Sequence, residues 1–205
     1  MGNTVGSREL IAFRARKKQV LWVEPRQMDI LIGCILGDAY VSPQGKIQLE
    51  QSVAQKEYLE WKFEELSSIS YRGTPRKVER RDKRTGKLYE SVRFWTRQYF
   101  RPLRERFYQD GRKIFPPNLL LSPLTVAVWH MDDGHYDHKK HRCTLATDNF
   151  SRAEIVIIQS LFRRFFSVNS VARPNGKLVF AGENCSQFLK IVKPYVVPSM
   201  GYKIR

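Results

Sequence analysis

The 205 residues are 42% hydrophobic, 12% aromatic and 27% charged, a globular composition with no low-complexity tract. Thirty-six Lys and Arg against twenty Asp and Glu give a formal charge of +16, more than solubility needs, and point to a polyanionic partner. The apolar runs fall far short of a bilayer span, MGNTVGS misses a myristoylation signal at Gly6, and Cys34, Cys143 and Cys185 are widely spaced thiols that fit a reducing, intracellular setting. Nucleic acid is the expected partner and a membrane is not.

In chain order, residues 1–25 contain RARKK at 14–18 and read either as a basic arm that orders on nucleic acid or as a solvated tail. LIGCILGDAY at 31–40 reads as a short apolar helix, yet it carries Gly33 and Gly37 and ends in Asp38. Each glycine costs about 1 kcal/mol against alanine in a helix interior. A carboxylate at a helix C-terminus is repelled by its partial negative charge. Something outside the helix must compensate for both.

Residues 46–53 alternate Ile47, Leu49 and Val53 against Lys46, Gln48, Glu50 and Ser52, predicting a half-exposed strand. A helical stretch, QKEYLEWKFEELSSI, follows, and then a hairpin turning at RTG 84–86 into a second alternating strand over 87–95. Residues 72–106 hold thirteen Lys or Arg against four Asp or Glu, so this sheet surface is strongly basic. A wet, basic β-ribbon is the surface that enters a DNA major groove. QYFRPLRERFY predicts one more helix, and FPPNLLLSP at 115–123 breaks both periodicities.

The same programme then recurs. VAVWHMDDGHY repeats LIGCILGDAY, with Asp133 standing 95 residues after Asp38. The helical stretch SRAEIVIIQSLFRRFF, a second GKL turn at 176–178, the helix CSQFLKIVKPYV and a closing GYKIR follow in order, the GKL turn and the closing GYKIR matching the first half at an offset of 90. Lys203 thereby corresponds to Lys113. The chain reads as a pseudo-dimer of class α+β, a pseudo-twofold duplication of αββαββα, with an N-terminal arm at 1–25, a first repeat at 26–117 and a second at 118–205.

Two repeats that each end a helix in aspartate imply that these helices meet, with Gly33, Gly37 and Ala127 permitting close approach. Asp38 and Asp133 then face each other, and divalent cations are needed between them. Mg²⁺ is the expected ion, with Mn²⁺ substituting and Ca²⁺ binding without supporting cleavage. The chemistry implied is metal-assisted phosphodiester hydrolysis. Asp132 points about 100° away on the helix and is the weaker candidate ligand.

LIGCILGDA (31–39) and VAVWHMDDG (126–134) resemble the two motifs of single-chain LAGLIDADG homing endonucleases. The resemblance runs from about residue 26 to the end, and the segments around KIFPPNLL and KPYVVPSMGYKIR look most like the omega-intron type known from yeast mitochondria. It implies a monomer with two saddle-like antiparallel sheets on double-stranded DNA, motif helices at the interface, and metals held by Asp38, Asp133 and the Ala39 carbonyl. It also implies site-specific double-strand cleavage that leaves 3′-hydroxyl ends and promotes intron mobility. Lys113 and Lys203 match lysines that sit around each active centre in such relatives, although spacing alone equally allows plain phosphate contacts. Ala39 departs from the family pattern at the helix exit, and Val128 and Asp132 stand where small residues are usual, which implies an asymmetric seam.

Expected DNA contacts in the first half are Gln48, Glu50, Arg76, Arg80, Arg81, Arg84 and Arg93. In the second half they are His135, Lys139, Lys140, Arg173 and Lys177. His135, His138 and His141 are spaced in threes but lack a partner pair for zinc, so contact with phosphate or solvent is preferred. Trp22, Trp61, Trp95 and Trp129 are expected in cores or seams. Two other functions stay open on the same fold, an intron RNA maturase and a DNA-binding regulator without cleavage. The expected location is intracellular, in bacterial cytoplasm or an organelle such as a mitochondrion or chloroplast.

Overall fold

In a computed structural model, residues 10–15 and 19–205 are described. The first half runs α1 (Pro25–Leu36), β3 (Tyr40–Val41), β4 (Ile47–Ser52), α2 (Lys56–Glu65), β5 (Arg76–Arg81), β6 (Leu88–Trp95) and α3 (Arg101–Phe107). The second repeats the order with α4 (Pro123–Asp133), β9 (Gly134–Asp137), β10 (Arg142–Leu145), α5 (Arg152–Phe166), β11 (Val171–Ala172), β12 (Leu178–Ala181) and α6 (Glu183–Val192). Each half forms one four-stranded antiparallel sheet, ordered β3-β4-β6-β5 and β11-β12-β10-β9. The alternation in β4 is realised as drawn from the sequence: Ile47 and Leu49 are buried, while Gln48 and Glu50 stand on the open face. Leu88, which the alternation over 87–95 sets on one face with Val92 and Phe94, is half exposed, because only the Val92–Phe94 end of β6 lies over buried side chains.

The N-terminal segment holds more order than a basic arm implies. β1 (Ile11–Arg14) and β2 (Val20–Val23) pair as an antiparallel hairpin. Its inner face buries Phe13, Leu21 and Val23, and the Phe13 ring lies 5.0 Å from that of Phe100. Trp22 pairs with Ala12 on the outer face and is exposed, contrary to the expectation that it belongs to a core or seam. Residues 1–9 and Arg16 to Lys18 of the expected arm lie outside the described residues. Of the other tryptophans, Trp129 is fully buried and Trp61 is half-buried against the core.

A short hairpin, β7 (Tyr108–Gln109) with β8 (Arg112–Lys113), ends the first repeat. Glu154, the N3 residue of α5, fixes the chain that follows: Oε1 accepts the Phe115 amide at 2.8 Å and Oε2 accepts Arg112 Nη2 at 3.2 Å. The same carboxylate completes a capping box by accepting the Ser151 amide at 2.6 Å. Phe115 then packs with Trp129 and Phe150 in one aromatic cluster. The connection between halves is thus tied to the second half at the point where Lys113 must be aimed. Among the described residues no helix is long and apolar enough to cross a membrane.

Candidate active site

Helices α1 and α4 pack along one another, and the glycines of the first motif explain how closely. A Cβ on Gly33 would sit 2.7 Å from both the Thr125 carbonyl and Val128 Cβ. A Cβ on Gly37 would sit 2.6 Å from Asp132 Cβ. Val128 and Asp132 are the residues 95 positions after Gly33 and Gly37, so each glycine opens space for its own larger counterpart. The cost of two glycines in a helix is offset by this seam, where Ala127 is also buried. Thr125 Oγ1 donates to the Asp29 carbonyl at 3.1 Å across the same interface.

The two helices end differently. α1 stops at Leu36 with Gly37 as its cap, so Asp38 lies beyond the helix and is exposed. α4 continues through Asp133, which is half-buried, and only then reaches Gly134. Gly134 abuts the buried His130 ring, which a Cβ would strike, whereas the equivalent position in the first half is Ala39.

The lysines converge with the aspartates in equivalent positions. Lys113 Nζ donates to the carbonyls of Gly37 at 2.7 Å and Ala39 at 3.3 Å. Lys203 Nζ donates to the carbonyls of Asp132 at 3.3 Å and Gly134 at 2.7 Å. Each ammonium thus straddles one aspartate and neutralises carbonyls at the negative end of its helix. Burial lowers the pKa of both lysines, while the nearby aspartates oppose that shift. His130 Nε2 contacts the Lys203 carbonyl at 3.0 Å, and its own burial drops its pKa to about 4, so it is neutral.

Burial raises the Asp133 carboxyl to about 7, with the charges of Asp38 and Asp132 adding to the shift and Lys113 and Lys203 opposing it. That penalty on the Asp133 charge is one that a cation beside it would relieve. Hard carboxylate oxygens suit a divalent cation whose remaining positions are filled by water or phosphate. Asp38 and Asp133 are the side chains that could hold it. The Ala39 carbonyl, an expected ligand, already faces Lys113, and Asp132 is engaged elsewhere. Among the described residues no three His, Cys, Asp or Glu side chains converge as a protein-only metal site. His141 instead contacts Tyr136 Oη at 3.2 Å and Ser186 Oγ at 2.8 Å.

Two site residues stand outside the expected set. Gln51 Nε2 donates to Asp38 Oδ2 at 3.0 Å and to Asp132 Oδ1 at 3.3 Å. Lys62 Nζ forms an ion pair with Asp132 Oδ1 at 2.6 Å, with both side chains buried. Burial pushes the Asp132 carboxyl up and Lys62 pulls it back; burial also disfavours the Lys62 charge, but Asp132 and Cys34 hold its pKa above the ordinary value. Lys62 does leave a trace in the sequence. It occupies the apolar stripe of α2, between Tyr58, Leu59 and Leu66, where a lysine must have a partner.

On the open face of the first sheet, Gln48, Arg80 and Arg93 gather around Glu50. Its carboxylate accepts Arg80 at 2.6 and 2.9 Å, Gln48 Nε2 at 2.7 Å and Ser91 Oγ at 2.5 Å, and Arg93 lies 4.0 Å away. Arg76 stands on the same face, and Arg81 and Arg84 are exposed toward the hairpin tip. In the second half His135, Lys139, Lys140 and Arg173 are exposed and Lys177 is half-buried.

Comparisons with known proteins bear on the family and the fold. The sequence model described as "LAGLIDADG DNA endonuclease family" matches residues 28–188. The chain is 27% identical to Cytochrome b mRNA maturase bI2 of Debaryomyces hansenii, over 89% of this chain and 74% of that protein. It is 28% identical to Probable intron-encoded endonuclease 1 of Wickerhamomyces canadensis, over 92% of this chain and 87% of that one. A solved structure, the homing endonuclease I-WcaI bound to its DNA recognition sequence, superposes with a TM-score of 0.79 and 25% identity, covering 88% of this chain and 86% of that chain. Matches to mycobacterial RecA proteins span only about half of their length, 49% in Mycobacterium shimoidei.

Proposed function

This chain belongs to the LAGLIDADG DNA endonuclease family and is a homing endonuclease, and from that premise we propose that Asp38 and Asp133 are the catalytic carboxylates of two centres, one per DNA strand. The observation that supports this most directly is the paired geometry at the helix ends: each aspartate is straddled by one lysine, Lys113 or Lys203, held by equivalent backbone carbonyls. The divalent ion, which we take to be Mg²⁺, supplies polarisation of the scissile phosphate and a lower pKa for the attacking water. The lysines add positive charge beside the phosphate and keep the helix ends from repelling it. Glu50 holds Gln48, Arg80 and Arg93 on the open sheet face, from which they exchange their mutual bonds for base edges and phosphates in a major groove. Both halves lie in one chain, so the protein acts as a monomer. It works beside an intron-bearing gene, in an organelle or a bacterial cytoplasm.

Asp38→Asn and Asp133→Asn should each abolish double-strand cleavage with Mg²⁺ while leaving target binding in Ca²⁺ intact. Wild-type cutting by both variants would refute the assignment. A second reading draws on the relative named as a cytochrome b mRNA maturase. Intron RNA assistance on the same scaffold predicts tight intron binding that survives Asp38→Asn.

A further inference from the structure

Lys62 and Gln51 lie outside both helix-end motifs, yet together they join Asp38 to the opposite half of the molecule. Lys62 reaches out of α2 to Asp132 on α4, with 2% and 0% of the two side chains exposed. Its ammonium also lies 4.2 Å from the centre of the Tyr58 ring. The Asp132 oxygen that accepts Lys62 accepts Gln51 as well, and the same Gln51 nitrogen donates to Asp38. An amide nitrogen carries two hydrogens, so both bonds can form at once. With Asp132 charged, a flipped Gln51 would push its carbonyl oxygen between two carboxylates. One orientation of the amide is left, with its N–H groups toward Asp38.

We propose that Lys62, acting through Asp132 and Gln51, is a positioning residue for the Asp38 carboxylate. This rests on the reading of Asp38 as catalytic. A buried Lys–Asp pair gives little stability over apolar side chains of similar shape, because both charges lose their water. Packing alone therefore gives little reason for the pair, whereas holding Gln51 in register does. The second centre lacks the device. Gln48 pairs with Tyr40 and Thr144 pairs with His135, so the residue equivalent to Gln51 is Thr147. Thr147 Oγ1 donates to the Gly176 carbonyl at 2.5 Å rather than to Asp133. One aspartate is thus steered by a cross-half chain of hydrogen bonds and the other is not.

Single-turnover cleavage of a duplex with each strand separately labelled, read beside target binding in Ca²⁺ and thermal melting, tests this. The double variant Lys62→Met, Asp132→Leu removes both buried charges and should melt near the wild type and bind as well. Cutting of one strand should slow about 10²-fold, the scale of a misplaced catalytic group, with a nicked intermediate accumulating. Gln51→Met, which leaves the ion pair in place, should slow the same strand. A folded double variant that cuts both strands at the wild-type rate, or slows both equally, overturns the proposal. Should the double variant not fold, Gln51→Met decides, and unchanged rates on both strands overturn it. Asp38→Asn run alongside separates the two claims. If it still cuts, the catalytic reading of Asp38 fails; if it is dead while the double variant is normal, only the role of Lys62 fails.

Discussion

The centre at Asp38 and the centre at Asp133 share their lysines and little else. Lys113 and Lys203 meet their carbonyls at matching distances of 2.7 and 3.3 Å. Around that constant element the first half has an early helix stop, an exposed aspartate and a Gln51 amide, while the second has a longer helix, a half-buried aspartate and a threonine turned elsewhere. The difference separates what a phosphodiester site requires twice from what a single packed seam can supply only once. Charge at the helix ends is duplicated. Space is not, because a glycine on one side and a larger residue on the other can fill the seam only as a complementary pair.

The largest stability effect expected from breaking this comparison comes from Lys62→Met alone. Asp132 would be left buried without its counter-charge, and no reciprocal pair exists because its counterpart is Gly37. A loss of about 3–5 kcal/mol in denaturant unfolding is expected. The lysine symmetry predicts that Lys113→Met and Lys203→Met each slow cleavage by a similar factor, about 10²–10³, with target binding retained. Losses that differ by orders of magnitude would show the two lysines to be unequal despite their geometry.

Gly33→Ala should cost about 1–3 kcal/mol, since its Cβ meets backbone and Val128. Val128→Gly removes the Cβ and Cγ1 atoms that this methyl would meet, so the double variant should be less destabilised than the two single losses added together. A further effect concerns pH. In the metal-free protein Asp133 keeps its proton until about pH 7, whereas an unfolded aspartate loses it near 4. The folded state therefore binds more protons between those values, and the Asp133 contribution to stability falls as pH rises through that window. Melting scans should show this fall, Asp133→Asn should flatten it, and Mg²⁺ should raise the melting temperature more at pH 8 than at pH 5.

Much of this is legible in the sequence. The order of elements, the two aspartates and the matched lysines follow from residues whose chemistry is out of place in a plain helix or tail. Local pattern sufficed there because a glycine, an acid or a closing lysine signals where it stands. What escaped depends on partners far along the chain. Gln51 reads as one polar position of an alternating strand, and Lys62 as part of an amphipathic helix, until Asp132 is brought beside them. The pairing of β1 with β2 is hidden by its basic neighbours, because the burial of Phe13 depends on Phe100. Asp132 reads as a larger residue in an asymmetric seam and as the weaker metal candidate, and only the ion pair with Lys62 shows where its carboxylate goes.

The fit of Gly33 and Gly37 against Val128 and Asp132 works as a lock with two unlike faces. Two copies of the second half would set valine on valine and acid on acid with no lysine between them, and two copies of the first would face each other across hollows. Halves expressed as separate chains should therefore ignore their own kind and assemble only with each other, which sizing of the mixed and unmixed chains would reveal. Joining the two repeats in one chain is, on this view, a matter of stoichiometry rather than of partner choice.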